Sequence, residues 1–128
     1  YKHAIEIDPR NEKAWLSSAY ALMFMMRDSE AMECLDHLLE LNPRHAEAWV
    51  NKASILKGMG KHEESVNCCN RALDIDPNNR SAWYNKGMSF YFLGQYKEAL
   101  PCLEQSQILG FPTAKAAAEM CRSRLKSE

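Results

Sequence analysis

The stretch AWYNKGMSFYFLGQYKEALPCL, from Ala82 to Leu103, decides the fold. It reads as two helical runs, over about 80–93 and 97–109, parted at Gly94, where a glycine takes a left-handed backbone at little cost and so ends the first run. Small residues sit within each run, Gly87 in the first and Ala99 in the second. They let two antiparallel helices approach closely enough for ridges to pack into grooves.

The same landmarks recur upstream. Trp15, Trp49 and Trp83 stand 34 residues apart, as do Pro9, Pro43 and Pro77, which close the runs IEIDP, LELNP and LDIDP. Cys34, Cys68 and Cys102 keep that spacing too, which ties them to one helical position rather than to chemistry. Small residues return at Ala19, Ala53 and Gly87 and again at Ala31, Ser65 and Ala99. Each proline cannot continue the helix before it and resets the chain for the next hairpin. Each tryptophan has a large apolar face to bury, worth on the order of 1.5–3 kcal/mol. Helices are therefore expected at about 12–25, 29–41, 46–59 and 63–75 as well.

A helix-turn-helix period of this length, with Trp near its start, a small residue midway and Pro near its end, resembles the tetratricopeptide repeat. The third copy matches it with Trp83, Gly87, Phe90, Gly94, Ala99 and Leu103, the second with Trp49, Ala53, Leu56, Gly60, Ser65, Cys69 and Pro77. The first offers Trp15, Ala19, Leu22, Ala31, Leu35 and Pro43. The leucine usual three residues after the tryptophan is replaced by Ser18, Lys52 and Lys86. The resemblance implies an all-α protein, a right-handed superhelix of about three such repeats over residues 12–45, 46–79 and 80–112. Residues 1–11 are expected to be the end of a truncated repeat, and Thr113 to about Lys126 a capping helix. That last helix has Ala114, Ala117, Ala118, Cys121 and Leu125 on one face and Lys115, Glu119, Arg122 and Lys126 on the other.

The first turn is the least specified. Gly60 and Gly94 close the second and third hairpins, but Met26 holds that place in the first, where a left-handed backbone costs roughly 1–2 kcal/mol. Asp28 and Ser29 are candidate N-caps for a normal turn. The alternative is one continuous helix from Met23 to Glu30, opening the hairpin and permitting a homo-oligomer by helix exchange.

The 16 basic and 17 acidic residues nearly cancel, so no broad field exists to hold nucleic acid or anionic lipid. No apolar run approaches the roughly 20 residues a membrane span needs. Five cysteines without two-residue spacing point to a reducing compartment, the cytoplasm. His3, His37, His45 and His62 lack metal-ligand spacing, and Cys68 and Cys69, about 100° apart on a helix, chelate poorly. No cofactor, metal or catalytic site is expected.

The resemblance also implies that the first helix of each hairpin lines an inner, concave wall. Its contact residues would be Leu16 and Ser17, Val50 and Asn51, and Tyr84 and Asn85, beside the tryptophans. Farther along come Tyr20, Met23 and Phe24, then Ser54 and Lys57, then Met88, Tyr91 and Phe92. Asn51 and Asn85 could meet a peptide backbone with donor and acceptor, as in the asparagine ladder of O-GlcNAc transferases, or could simply help the stack pack. Co-chaperones of the family grip acidic tails with lysine, asparagine and arginine at places where this chain has Leu16, Tyr20, Asn51, Ser81 and Asn85, so only Asn51 fits. The expected function is a protein-interaction module binding a partner peptide or helix. The alternatives are a regulatory or targeting domain of a larger enzyme and a self-associating scaffold.

Overall fold

A computed structural model of the chain describes residues 11–127. Among them are seven helices and no strand: α1 (Glu12–Phe24), α2 (Asp28–Leu41), α3 (Ala46–Gly58), α4 (His62–Ile75), α5 (Arg80–Phe92), α6 (Tyr96–Ile108) and α7 (Ala114–Ser127). Each end falls within one residue of the expectation. The helix fragment expected before Asn11 lies outside the described residues.

The helices start by two different devices. Asn11, His45 and Asn79 occupy one repeat position, and each side chain accepts from the backbone N–H three residues on, at 3.1–3.2 Å, capping α1, α3 and α5. The cap positions of α2, α4 and α6 fall on Arg27, Lys61 and Gln95, none of which makes a side-chain cap bond. This corrects the expected role of Asp28 and Ser29. Asp28 is instead the first residue of α2, where its carboxylate favours the positive end of the helix dipole.

The turns into these helices share one geometry. The N–H groups of Arg27, Lys61 and Gln95 donate to the carbonyls of Leu22, Leu56 and Phe90 at 2.8–2.9 Å, each just after a residue in left-handed conformation. Those residues are Met26 (φ 61°), Gly60 (φ 81°) and Gly94 (φ 78°), and Gly110 (φ 93°) repeats the device before α7. The first hairpin is therefore closed. The continuous helix from Met23 to Glu30 is not formed, because the capping bonds and the packing beneath them outweigh the strain at Met26.

The small-residue positions lie where the helices cross. Ala19, Ala31, Ala53, Ser65 and Ala99 are wholly buried, and Gly87 lies so close to α6 that an added Cβ would sit 2.7 Å from Leu103. Trp49 packs against three core clusters, the first holding Leu38 and Ala48, the second Ala53 and Cys69, the third Val50 and Ala82, tying the hairpins together. At two of the leucine positions stand lysines that serve the indoles by charge: the Lys52 and Lys86 ammonium groups lie over Trp49 and Trp83 at 5.7 and 5.4 Å. Ser18, at the same repeat position, is buried and donates to the Ala14 carbonyl at 2.8 Å. The apolar face of α7 buries Ala114, Ala117, Ala118 and Cys121 against α6, while Lys115, Glu119, Arg122 and Lys126 are exposed. That amphipathic closure covers the end of the stack.

Candidate peptide-binding groove

The first helices of successive hairpins meet along two seams. At the seam between α1 and α3, the Tyr20 hydroxyl donates to Glu47 Oε1 at 2.8 Å. Burial pushes the Tyr20 phenol up, the neighbouring Asn51 amide pulls it down, and Glu47 pushes it up again. Asn51 itself is only 8% exposed, and among the described residues its Nδ2 meets no acceptor at full hydrogen-bonding geometry, although the amide lies close enough to the phenol to lower its pKa. Glu47 escaped the sequence reading, although it stands four residues before Asn51 on the same helical face.

At the seam between α3 and α5 the polar groups satisfy one another. Lys57 Nζ donates to Asn85 Oδ1 at 2.9 Å, and Asn85 Nδ2 donates to Ser54 Oγ at 2.9 Å. The ammonium also lies 5.2 Å from the Tyr84 ring, which stacks on Phe111 at 4.4 Å between centroids. Burial lowers the Lys57 pKa, since a charge half out of water is less favourable. The two asparagines share a repeat position but differ in role: the Asn85 amide is bonded at both ends, whereas the Asn51 nitrogen is not.

The other expected contact residues scatter. Tyr91 packs edge-on to Phe92 and Tyr96 and accepts from Arg124 Nε at 3.3 Å through its hydroxyl. Leu16 and Met23 are half-buried against the first core, and Met88 against the last. Ser17 is exposed. Val50 is buried with Ala72 and Ala82 between the second and third hairpins, so little of it faces the wall. Phe24 (89% exposed) and Phe92 (56% exposed) stand at the turn ends of α1 and α5, and Phe92 stacks on His62. Phe111, which takes the repeat position of Pro43 and Pro77, and Arg124, which lies beyond the repeats in α7, are further side chains that the motif pattern does not single out.

The thiols take another course. Cys34, Cys68 and Cys102 are buried at one position of α2, α4 and α6, and burial raises each pKa. Cys69 is pushed up to about 12 by burial, with Cys68 adding to the effect. Neutral buried thiols are packing groups and poor nucleophiles.

The geometry matches known proteins in fold. The TPR domain of Sgt2 from Aspergillus fumigatus superposes with a TM-score of 0.86 at 21% identity, covering 90% of this chain and 79% of that one. The Arabidopsis OM64 TPR domain gives 0.83 at 22% identity, over 88% and 94%. The first TPR domain of Spaghetti (RPAP3), solved with the HSP90 peptide SRMEEVD, gives 0.87 at 17% identity, over 93% and 96%. The comparison with curated proteins returned no match. Three family models, each described as tetratricopeptide repeat, match residues 12–55, 46–79 and 68–100. These matches run together from the first tryptophan into the third hairpin, and the chain belongs to the tetratricopeptide repeat family.

Proposed function

We propose that the chain is a protein-interaction module that holds an extended segment of a partner against the wall of α1, α3 and α5. The observation that carries this reading is the Asn51 amide, a buried donor that meets no protein acceptor at full hydrogen-bonding geometry among the described residues and has only the Tyr20 phenol beside it. Such a group costs about 1–3 kcal/mol, which a carbonyl of a guest chain would offset. Beside it stands the Tyr20 phenol, bonded to the Glu47 carboxylate, and farther along α3 the Lys57 ammonium, groups suited to holding a peptide in place. Membership of the repeat family supports a role in protein interaction, and one solved neighbour of the fold carries a peptide. The near-balance of charge favours a protein over a nucleic acid as partner. Among the described residues no helix is long and apolar enough to cross a membrane.

The test is a titration of the isotope-labelled chain with dodecapeptides selected on it from a random display library. Backbone amide shifts should concentrate at Asn51, Ser54 and Asn85. Asn51→Ala should weaken binding about tenfold, near 1.4 kcal/mol, with no loss of helix content. Shifts confined to α2, α4 and α6 would overturn the groove assignment.

A further inference from the structure

Lys57 differs from the other charged groups of the inner wall. An ammonium has three donors, and among the described residues only Asn85 Oδ1 is bonded to it. Among the described residues no carboxylate lies within ion-pair distance of it, whereas Lys52, about 140° round the same helix, is paired with Asp36 at 2.8 Å. The site is partly dry, walled by the Tyr84 ring and the Phe111 ring stacked behind it. A charge held half out of water with no counter-charge is an unfavourable state that an incoming anion relieves, and the low local dielectric strengthens that pairing. The hydrogen bonds from Ser54 through Asn85 to Lys57 fix where the ammonium sits. Asn85 is thereby committed to positioning the lysine and has less to offer a guest.

Resting on the groove reading above, we infer that Lys57, positioned by Asn85, reads a carboxylate side chain of the bound segment, so that the wall selects peptides with Asp or Glu at that place. The charge complementarity is local: the α1–α3 seam presents Glu47, and the α3–α5 seam presents Lys57. A guest that lies across both meets a carboxylate at one and an ammonium at the other.

The whole chain is tested with fluorescein-labelled nonapeptide pools in which one position is fixed as Asp, Glu, Asn, Gln, Lys or Arg and the rest are mixed. At low salt the acid-fixed pools should bind about tenfold more tightly than the matching amide pools, as expected for a charge-assisted hydrogen bond in a partly dry site. That preference should shrink between about 50 and about 500 mM NaCl, as screening requires. Lys57→Met should abolish the preference while leaving acid-free pools bound. Lys57→Glu should transfer it to the Lys- and Arg-fixed pools, a swap that a merely structural lysine would not produce. Lys57→Arg guards against misfolding of the other two variants, because it must keep the acid preference. Pools that bind equally well with acid or amide, or an acid preference that survives Lys57→Glu, overturn the inference and leave the groove standing. Failure of every pool to bind the parent chain removes the groove reading and this inference with it.

Discussion

The indole Nε1 of Trp49 donates to the carbonyl oxygen of Pro43 at 2.9 Å, and Trp83 makes the same bond to Pro77 at 2.8 Å. The bond explains why the two residues recur together. Proline ends the preceding helix, and the indole of the next hairpin takes up a carbonyl in the connecting loop while its ring is wedged between hairpins. Trp49→Phe keeps the aromatic packing in part but loses the donor, so stability should fall by about 1–3 kcal/mol. Urea unfolding followed by circular dichroism measures it; a midpoint unchanged from the parent would show that neither the bond nor the ring volume matters.

Gly87 marks a tight crossing of α5 on α6. By helix propensity alone Gly87→Ala should stabilise α5 by about 1 kcal/mol. The new Cβ would meet Leu103 Cγ and Cδ2 at 2.7 Å, and Leu103 is wholly buried and cannot retreat. Overpacking costs about 1–3 kcal/mol, so the net expectation is a loss of about 1 kcal/mol. Combining it with Leu103→Val should recover part of that loss, since the two changes share one contact. Additive effects of the two substitutions in thermal melts would contradict the crossing.

Met26 carries strain that its counterparts avoid. Its φ of 61° is left-handed, and its side chain is 84% exposed, so little packing is lost on removing it. Met26→Gly should relieve about 1–2 kcal/mol of backbone strain and give back about 0.4–1 kcal/mol through the freer unfolded chain. A net gain of about 0.5–1 kcal/mol is expected in denaturant titrations. A loss on this substitution would mean that Met26 makes contacts in solution.

The buried thiols set an alkaline limit. Cys69 is held neutral to about pH 12, while in the unfolded chain it ionises near its ordinary value of about 8.5. Between those values the unfolded state has lost the proton that the folded state keeps, so stability is full below about pH 8.5 and declines as pH rises toward the folded value. Unfolding temperature should therefore fall above about pH 9, and Cys69→Ala should flatten that fall. In the native state at pH 8 the Cys69 thiolate fraction is about one in ten thousand, so alkylation should wait for unfolding. Prompt labelling of Cys69 in the folded chain would sink this reading.

Much of this architecture is legible in one dimension, because the features that define it are local or periodic. Helix bounds, small-residue crossings, the Gly60 and Gly94 turns and the capping face of α7 all follow from residues close in sequence or one repeat apart. Lysines at the leucine position read as departures from the pattern, and only the structure shows their ammonium groups over Trp49 and Trp83. The closure of the first turn at Met26 was likewise a tertiary decision, since packing of α1 on α2 overrides the backbone preference of a methionine. The same holds for the inner wall. Lys57 with Asn85, Tyr20 with Glu47 and Arg124 with Tyr91 are separated by 28, 27 and 33 residues along the chain, and each pair meets only because helices stack. Periodicity tells which face of a helix a side chain occupies, while the choice of neighbour belongs to how one hairpin settles on the next. For that reason two asparagines at one repeat position, Asn51 and Asn85, look alike in the sequence and become chemically distinct in the fold.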